Sequence, residues 1–271
     1  MKRGVLSWLG LLAACRLSAS SVDAGATQPP EKFEPLARVV EANSDASIDE
    51  RDALFRVVPL TVTGPPPPTA AAELVLDAER VTRQGAPFSL KTLQRDDVVL
   101  LSAAGETYLA QAASTLSVLD DVGAAVFLKH PQRDIAWPID LRDEATFQSW
   151  IDDPEPGKVR VIQRADGFEI QTNLGKLPGF DPRGPTVPIR GGEMDLSTLA
   201  KGLERVAKRF KTKEVCFVPS FGTALTDVSR ALAANWNTAN SAWFPRACLV
   251  YPRPPRGGSL KDRTDSKTPD Q

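Results

Sequence analysis

The chain has 271 residues, 42% hydrophobic and 25% charged, enough for one large domain or two small ones. Its 33 Lys+Arg against 34 Asp+Glu leave a formal net charge of −1, which excludes a global field that would recruit nucleic acid or an anionic lipid surface. With 3 cysteines and 1 histidine, no Cys/His spacing suits zinc, and neither a metal nor a cofactor is expected.

At the N-terminus, Lys2 and Arg3 precede an apolar run, residues 4–14, interrupted only by Ser7 and closing on Leu12-Ala13-Ala14-Cys15. A basic start, an apolar core of roughly 7–15 residues and small residues at the end make a secretory signal. Small residues directly before a cysteine resemble the bacterial lipobox, which implies a signal peptide over 1–14 and lipidation at Cys15. A spanning helix needs about 20 apolar residues, and Arg16 follows this run too soon, so the expected protein is tethered and does not span. By resemblance to lipoprotein sorting in enteric bacteria, the absence of Asp at position 16 favours the outer membrane over the inner, with the chain facing the periplasm.

Residues 15–71 read as a lipid-anchored tether. A flexible Ser/Ala/Pro-rich stretch runs to about residue 35, with short helical patterns at 36–42 and 48–54, an extended piece at 56–63 and the stiff run Pro65-Pro66-Pro67-Pro68. At the other end, residues 252–271 alternate charges, Pro and Gly and read as a disordered tail.

Two compact segments remain, at 72–150 and 157–251, and they repeat one another. Residues 97–105 align without a gap on 214–222, a helical pattern follows each, and 126–131 match 247–252. Upstream, 74–77 with 81–88 pairs with 159–163 and 168–172, each reading as two short strands joined by a turn, Ala165-Asp166-Gly167 in the second copy. Asp195 is the N-cap of a helix carried by Leu196, Leu199, Leu203, Val206 and Phe210. The corresponding stretch of the first copy, 89–95, is only one or two turns long. A second helix appears in both copies, through Leu109, Ala112, Leu116 and Leu119 and through Leu225, Val228, Leu232 and Trp236. Strand–helix–strand crossovers make their strands parallel. The expected fold is therefore α+β: two small modules, each with helices packed on one face of a mixed β-sheet.

This order resembles the periplasmic domain of the ExbD/TolR family, the biopolymer-transport partners of inner-membrane proton motors, present here as two degenerate tandem copies. The likeness rests on Asp195-Leu196 with Leu199 and Leu203 after Gly191-Gly192, on 97–105 with the helix to Asp120-Asp121-Val122-Gly123 and the strand at 125–128, and on 214–249. It implies a non-catalytic binding or scaffold role in biopolymer transport or envelope integrity, toward ExbB/TolQ-like or TonB-like proteins or peptidoglycan. Family members carry a membrane helix whose single aspartate takes part in proton flow. The apolar run here holds no acidic residue, so that role has nothing to sit on. A peptidoglycan-binding lipoprotein unrelated to any motor is the alternative, supported by the basic helix exit at 208–213, and an envelope enzyme of unrecognised type is the third.

Chemistry is sparse. His130 ends a strand before Pro131, where a structural role outweighs that of a general base, and Ser220 in Pro219-Ser220-Phe221-Gly222 lacks the flanking glycines of a hydrolase elbow. Gly191-Gly192 leads into Glu193 and makes no phosphate loop. Cys216 and Cys248 fall on the strands flanking one crossover, either bridged or as two buried thiols. For partner binding the candidates are Trp243 and Phe244, with Lys208, Arg209 and Lys211 at the helix exit; packing of the two aromatics over the helix end is the competing reading.

Overall fold

A computed structural model describes residues 57–254 except 79, 155, 156, 180 and 211. Cys15, the helical patterns at 36–42 and 48–54, Lys211 and most of the 252–271 tail lie outside the described residues.

The first copy runs β1 (Ala72–Leu76), β2 (Val81–Arg83), β3 (Ala86–Pro87), a 3-10 turn (Leu90–Thr92), β4 (Val98–Ala103), α1 (Leu109–Val122) and β5 (Ala125–Lys129). Next come β6 (Ala136–Asp143) and α2 (Glu144–Asp152), which the hydrophobic pattern alone left unassigned. The second copy runs β7 (Val159–Arg164), β8 (Gly167–Thr172), β9 (Gly175–Lys176), β10 (Val187–Pro188), α3 (Leu196–Phe210), β11 (Glu214–Pro219), α4 (Leu225–Ala233), β12 (Trp236–Thr238), β13 (Ser241–Ala242) and β14 (Arg246–Tyr251).

The α+β class is as expected, and the internal repeat is visible as topology. In the first copy β1 pairs antiparallel with β2 and parallel with β4, which pairs parallel with β5. In the second, β7 pairs antiparallel with β8 and parallel with β11, which pairs parallel with β14. Two separate modules are not what results. A single 12-stranded sheet runs β10-β8-β7-β11-β14-β6-β5-β4-β1-β2-β3, with β9 beside β8. The joint is β6, antiparallel to β5 and parallel to β14. Each copy ends in a strand with an unpaired edge, and β6 satisfies both edges at once.

The equivalence between copies also needs correction by one residue. Val99 and Leu101 of β4 face the helices, as Val215 and Phe217 of β11 do. Val99 lies beside Val126 where Val215 lies beside Ala247. Val99 is therefore the counterpart of Val215, whereas the gapless match of 97–105 to 214–222 sets Val98 there. A one-residue slip in a strand turns every side chain to the other face.

Helices α1, α3 and α4 pack on one face of the sheet. Leu109, Leu116 and Leu119 of α1 are fully buried, each stabilising by roughly 1.5–3 kcal/mol relative to exposure. The helix stops at Gly123, whose φ of 75° suits a left-handed C-terminal cap. Asp195 caps α3 as predicted, its carboxylate accepting from the Thr198 N–H at 3.0 Å. On the opposite face α2 packs over β11 and β14, starting at Asp143, which accepts from the Thr146 N–H at 2.7 Å.

Residues 57–71, expected to lie in a tether, belong to the fold. Leu60 and Val62 pack on the core, Trp137 Nε1 donates to Thr63 O at 3.2 Å, and the Ala136 N–H donates to Pro65 O at 3.1 Å. The stretch after α2 is likewise held: buried Lys158 donates to the Trp150 and Asp153 carbonyls.

Candidate functional site

The loops following β4 and β11 carry the closest internal correspondence, Thr107-Tyr108-Leu109 against Thr223-Ala224-Leu225. Their parent strands stand four steps apart in the sheet and run in opposite directions, so the loops leave diagonally opposite corners. They nevertheless come together where α1 and α4 begin. The loops meet there, the Leu109 N–H donating to Thr223 O at 2.9 Å and the Leu225 N–H donating to Thr107 O at 2.8 Å. Tyr108 and Ala224 form an antiparallel bridge between them. These bonds occupy the orphan N–H groups that begin α1 and α4. The Thr107 hydroxyl adds bonds to Ala104 O at 2.8 Å and Leu76 O at 3.2 Å, tying the joint to β1.

Beside this joint lies a groove of about 1000 Å³. Its lining includes the small residues Ala165, Gly192, Gly222 and Ala224 and the apolar Ile189, Met194 and Leu196. Glu106, Glu193 and Asp227 bring carboxylates to it, Arg164 and Arg230 bring guanidiniums, and Gln132, Gln163, Ser220 and Thr226 bring neutral polar groups. Tyr108 stands in its wall at 39% exposure, and Phe221, 51% exposed, lies between two lining residues. The Tyr108 hydroxyl donates to Glu106 Oε2 at 3.2 Å. The Glu106 charge, and then this bond, raise the phenol above its ordinary pKa. Arg164 is forked onto Asp166 at 3.0 Å and Glu169 at 3.2 Å, and Arg230 is held by Asp227 at 3.1 Å. Sequence reasoning passed over this site, and the signal for it was the Thr-x-Leu match with an aromatic replacing a small residue.

The residues singled out from sequence lie elsewhere. Phe244 is fully buried, its backbone held at both ends by Asn235: Nδ2 donates to Phe244 O at 2.9 Å and Oδ1 accepts from the Phe244 N–H at 3.0 Å. That removes Phe244 from any contact surface; its ring packs in the core. Trp243 is half-buried against the same core, with Lys208 Nζ 5.9 Å from its ring centroid. Lys208 also pairs with Glu204 at 2.6 Å, while Arg209 is exposed at the end of α3.

Cys216 and Cys248 lie directly opposite on β11 and β14, Cα–Cα 4.4 Å, and are joined in a disulfide beneath Phe147 and Trp150. Neighbouring strands at this register bring the two sulfurs into reach, so the reading as two free thiols is set aside. The Arg142 guanidinium stacks on the Trp150 ring at 5.1 Å and pairs with Glu214 at 2.5 Å, which also accepts from Trp150 Nε1 at 3.0 Å.

His130 is buried, edge-on to Trp137, with Nδ1 accepting from the Gln132 N–H at 3.1 Å. Burial, then the Arg133 and Arg230 charges, hold its pKa below the usual histidine value. It borders a smaller cavity of about 260 Å³ with Glu73, Ser102, Lys129 and Ser229. Lys129 there pairs with Glu73 at 2.8 Å and Ser229 donates to Lys129 O at 2.9 Å, so its polar groups are used structurally. The Asp120-Asp121 pair, unfavourable at a helix C-terminus, finds partners: the Tyr251 hydroxyl donates to Asp120 at 2.8 Å and Arg253 pairs with Asp121.

Among the described residues no group of three or more His, Cys, Asp or Glu is arranged to hold a metal ion, and no helix is long and apolar enough to cross a membrane. No protein-family model, curated protein or solved structure matches the chain.

Proposed function

We propose that this chain is a non-catalytic, lipid-anchored component of a bacterial cell envelope. Its pair of ExbD/TolR-like copies binds a partner at the groove where their loops meet. The observation that carries the binding reading is the joint itself. Reciprocal backbone bonds tie two loops together beside a wide groove whose lining exposes the Tyr108 ring, the arrangement of a preorganised binding surface. The lipobox-like end at Cys15 supports anchoring, and a disulfide between Cys216 and Cys248 fits an oxidising compartment. The role is accessory to any motor, because the apolar N-terminal run offers no carboxylate for proton coupling. The peptidoglycan alternative drew on the basic exit of α3, where Lys208 is already engaged by Glu204 and Trp243.

Replacing Cys15 by Ser should abolish fatty-acid labelling and release the protein from membranes or leave an uncleaved precursor; unchanged labelling would overturn the anchor. A photo-crosslinking residue at Thr226, inside the groove, should capture an envelope partner from cells expressing the full lipidated chain. Failure at Thr226, with capture only from sites remote from the groove, would relocate the binding surface.

A further inference from the structure

The charges of the groove do not cancel. Arg230 is satisfied by Asp227, and Arg164 is outnumbered by Asp166 and Glu169, which hold it from outside the groove. Glu106 and Glu193 also line the groove, both exposed; among the described residues the Glu106 carboxylate accepts from the Tyr108 hydroxyl. The groove thus presents Glu106 beside the open ring of Tyr108 and Glu193 elsewhere in its lining, with the glycines and alanines of that lining offering little side-chain bulk against an approaching backbone. An ammonium or guanidinium gains twice in such a place, from the carboxylates and from the face of the aromatic ring. An anionic ligand meets an excess of negative charge there, three carboxylates against two guanidiniums that are each already paired with acidic side chains.

From this we propose that the groove takes an extended, basic segment of a partner polypeptide, its lysine or arginine heads meeting Glu106 with the Tyr108 ring, and Glu193. The size agrees: about 1000 Å³ is at the upper limit for small-molecule pockets and accommodates several residues of extended chain. Loops tied together at the joint spare the ordering cost that a mobile site would meet. The ligand class rests on the groove being the binding surface proposed above.

The test uses the full mature chain and a fluorescently labelled lysine–proline dodecapeptide, with a glutamate–proline dodecapeptide and chitotetraose as comparisons. The lysine peptide should bind at least about tenfold more tightly than either and weaken as salt screens the carboxylates. The pair Glu106→Lys and Glu193→Lys should weaken it by about tenfold or more. Should that variant fail a circular-dichroism check, Glu106→Gln with Glu193→Gln decides instead, with a smaller loss in the same direction. Equal binding of the glutamate peptide, tighter binding of the glycan, or unchanged affinity in the folded variants would overturn the basic-peptide assignment. Capture of a partner at Thr226 through an acidic segment or a glycan would overturn the ligand class and leave the binding surface standing; no capture at Thr226 would take down both.

Discussion

His130 is the only histidine in the chain, so its titration can be read without assignment ambiguity. Its folded pKa lies below the unfolded value, so the unfolded chain binds the proton more readily. The stability it contributes is complete above about pH 6.5 and is lost as pH falls from there toward the folded pKa. Proton NMR should therefore show a midpoint below that of a model histidine, and His130→Gln should flatten the fall in stability between about pH 7 and 5. A midpoint at or above 6.5 contradicts the buried, neutral ring. At Asn235, 1% exposed, both side-chain atoms serve the backbone of Phe244. Asn235→Ala leaves a buried N–H and C=O without partners, at about 1–3 kcal/mol each, and should lower the urea midpoint accordingly. A loss below about 0.5 kcal/mol would mean that water replaces the amide.

Among the elements, α2 and the strands beneath it form a second, smaller core on the far face: Phe147 and Trp150 over Cys216, Cys248, Val218 and Val250. The disulfide inside it closes a loop with a sequence separation of 32. A loop of that length constrains the unfolded chain by about 3–4 kcal/mol. The pair Cys216→Ala and Cys248→Ala should therefore lower stability by about that amount under oxidising conditions. The denatured, unreduced native protein should yield no free thiol from these two positions. This element also explains what the hydrophobic pattern hid. Strand β11 is buried on both faces along most of its length, so its residues do not alternate apolar and polar. A strand without alternation reports that it is a strand but not which side faces which layer. The one-residue slip against β4 follows directly.

For the whole molecule, the continuous sheet, the strand β6 shared by both copies and the reciprocal loop bonds predict one cooperative unit. Urea unfolding should be a single transition when read by both fluorescence and circular dichroism. Limited proteolysis should leave one resistant fragment that holds both copies, from β1 through β14, and chain nicked near 153–157 should stay associated. Two separable transitions, or independently folding halves, would return the copies to the status of separate modules. The sequence by itself determined the local elements: the helices from their spacing (although α4 ends at Ala233 and the expected helical Trp236 lies in β12), the Asp195 cap, the strand-rich order repeated in both halves, and a lipobox-like cysteine. These properties depend on residues near one another in the chain. Only the tertiary structure decided that the copies share a sheet, that Phe244 is core, that the cysteines are joined, and that a groove opens beside Tyr108. Each of those depends on which strand edges and loops meet across the fold, and residues such as Thr107 and Thr223, 116 apart in the chain, carry no local pattern announcing that their backbones will be bonded reciprocally.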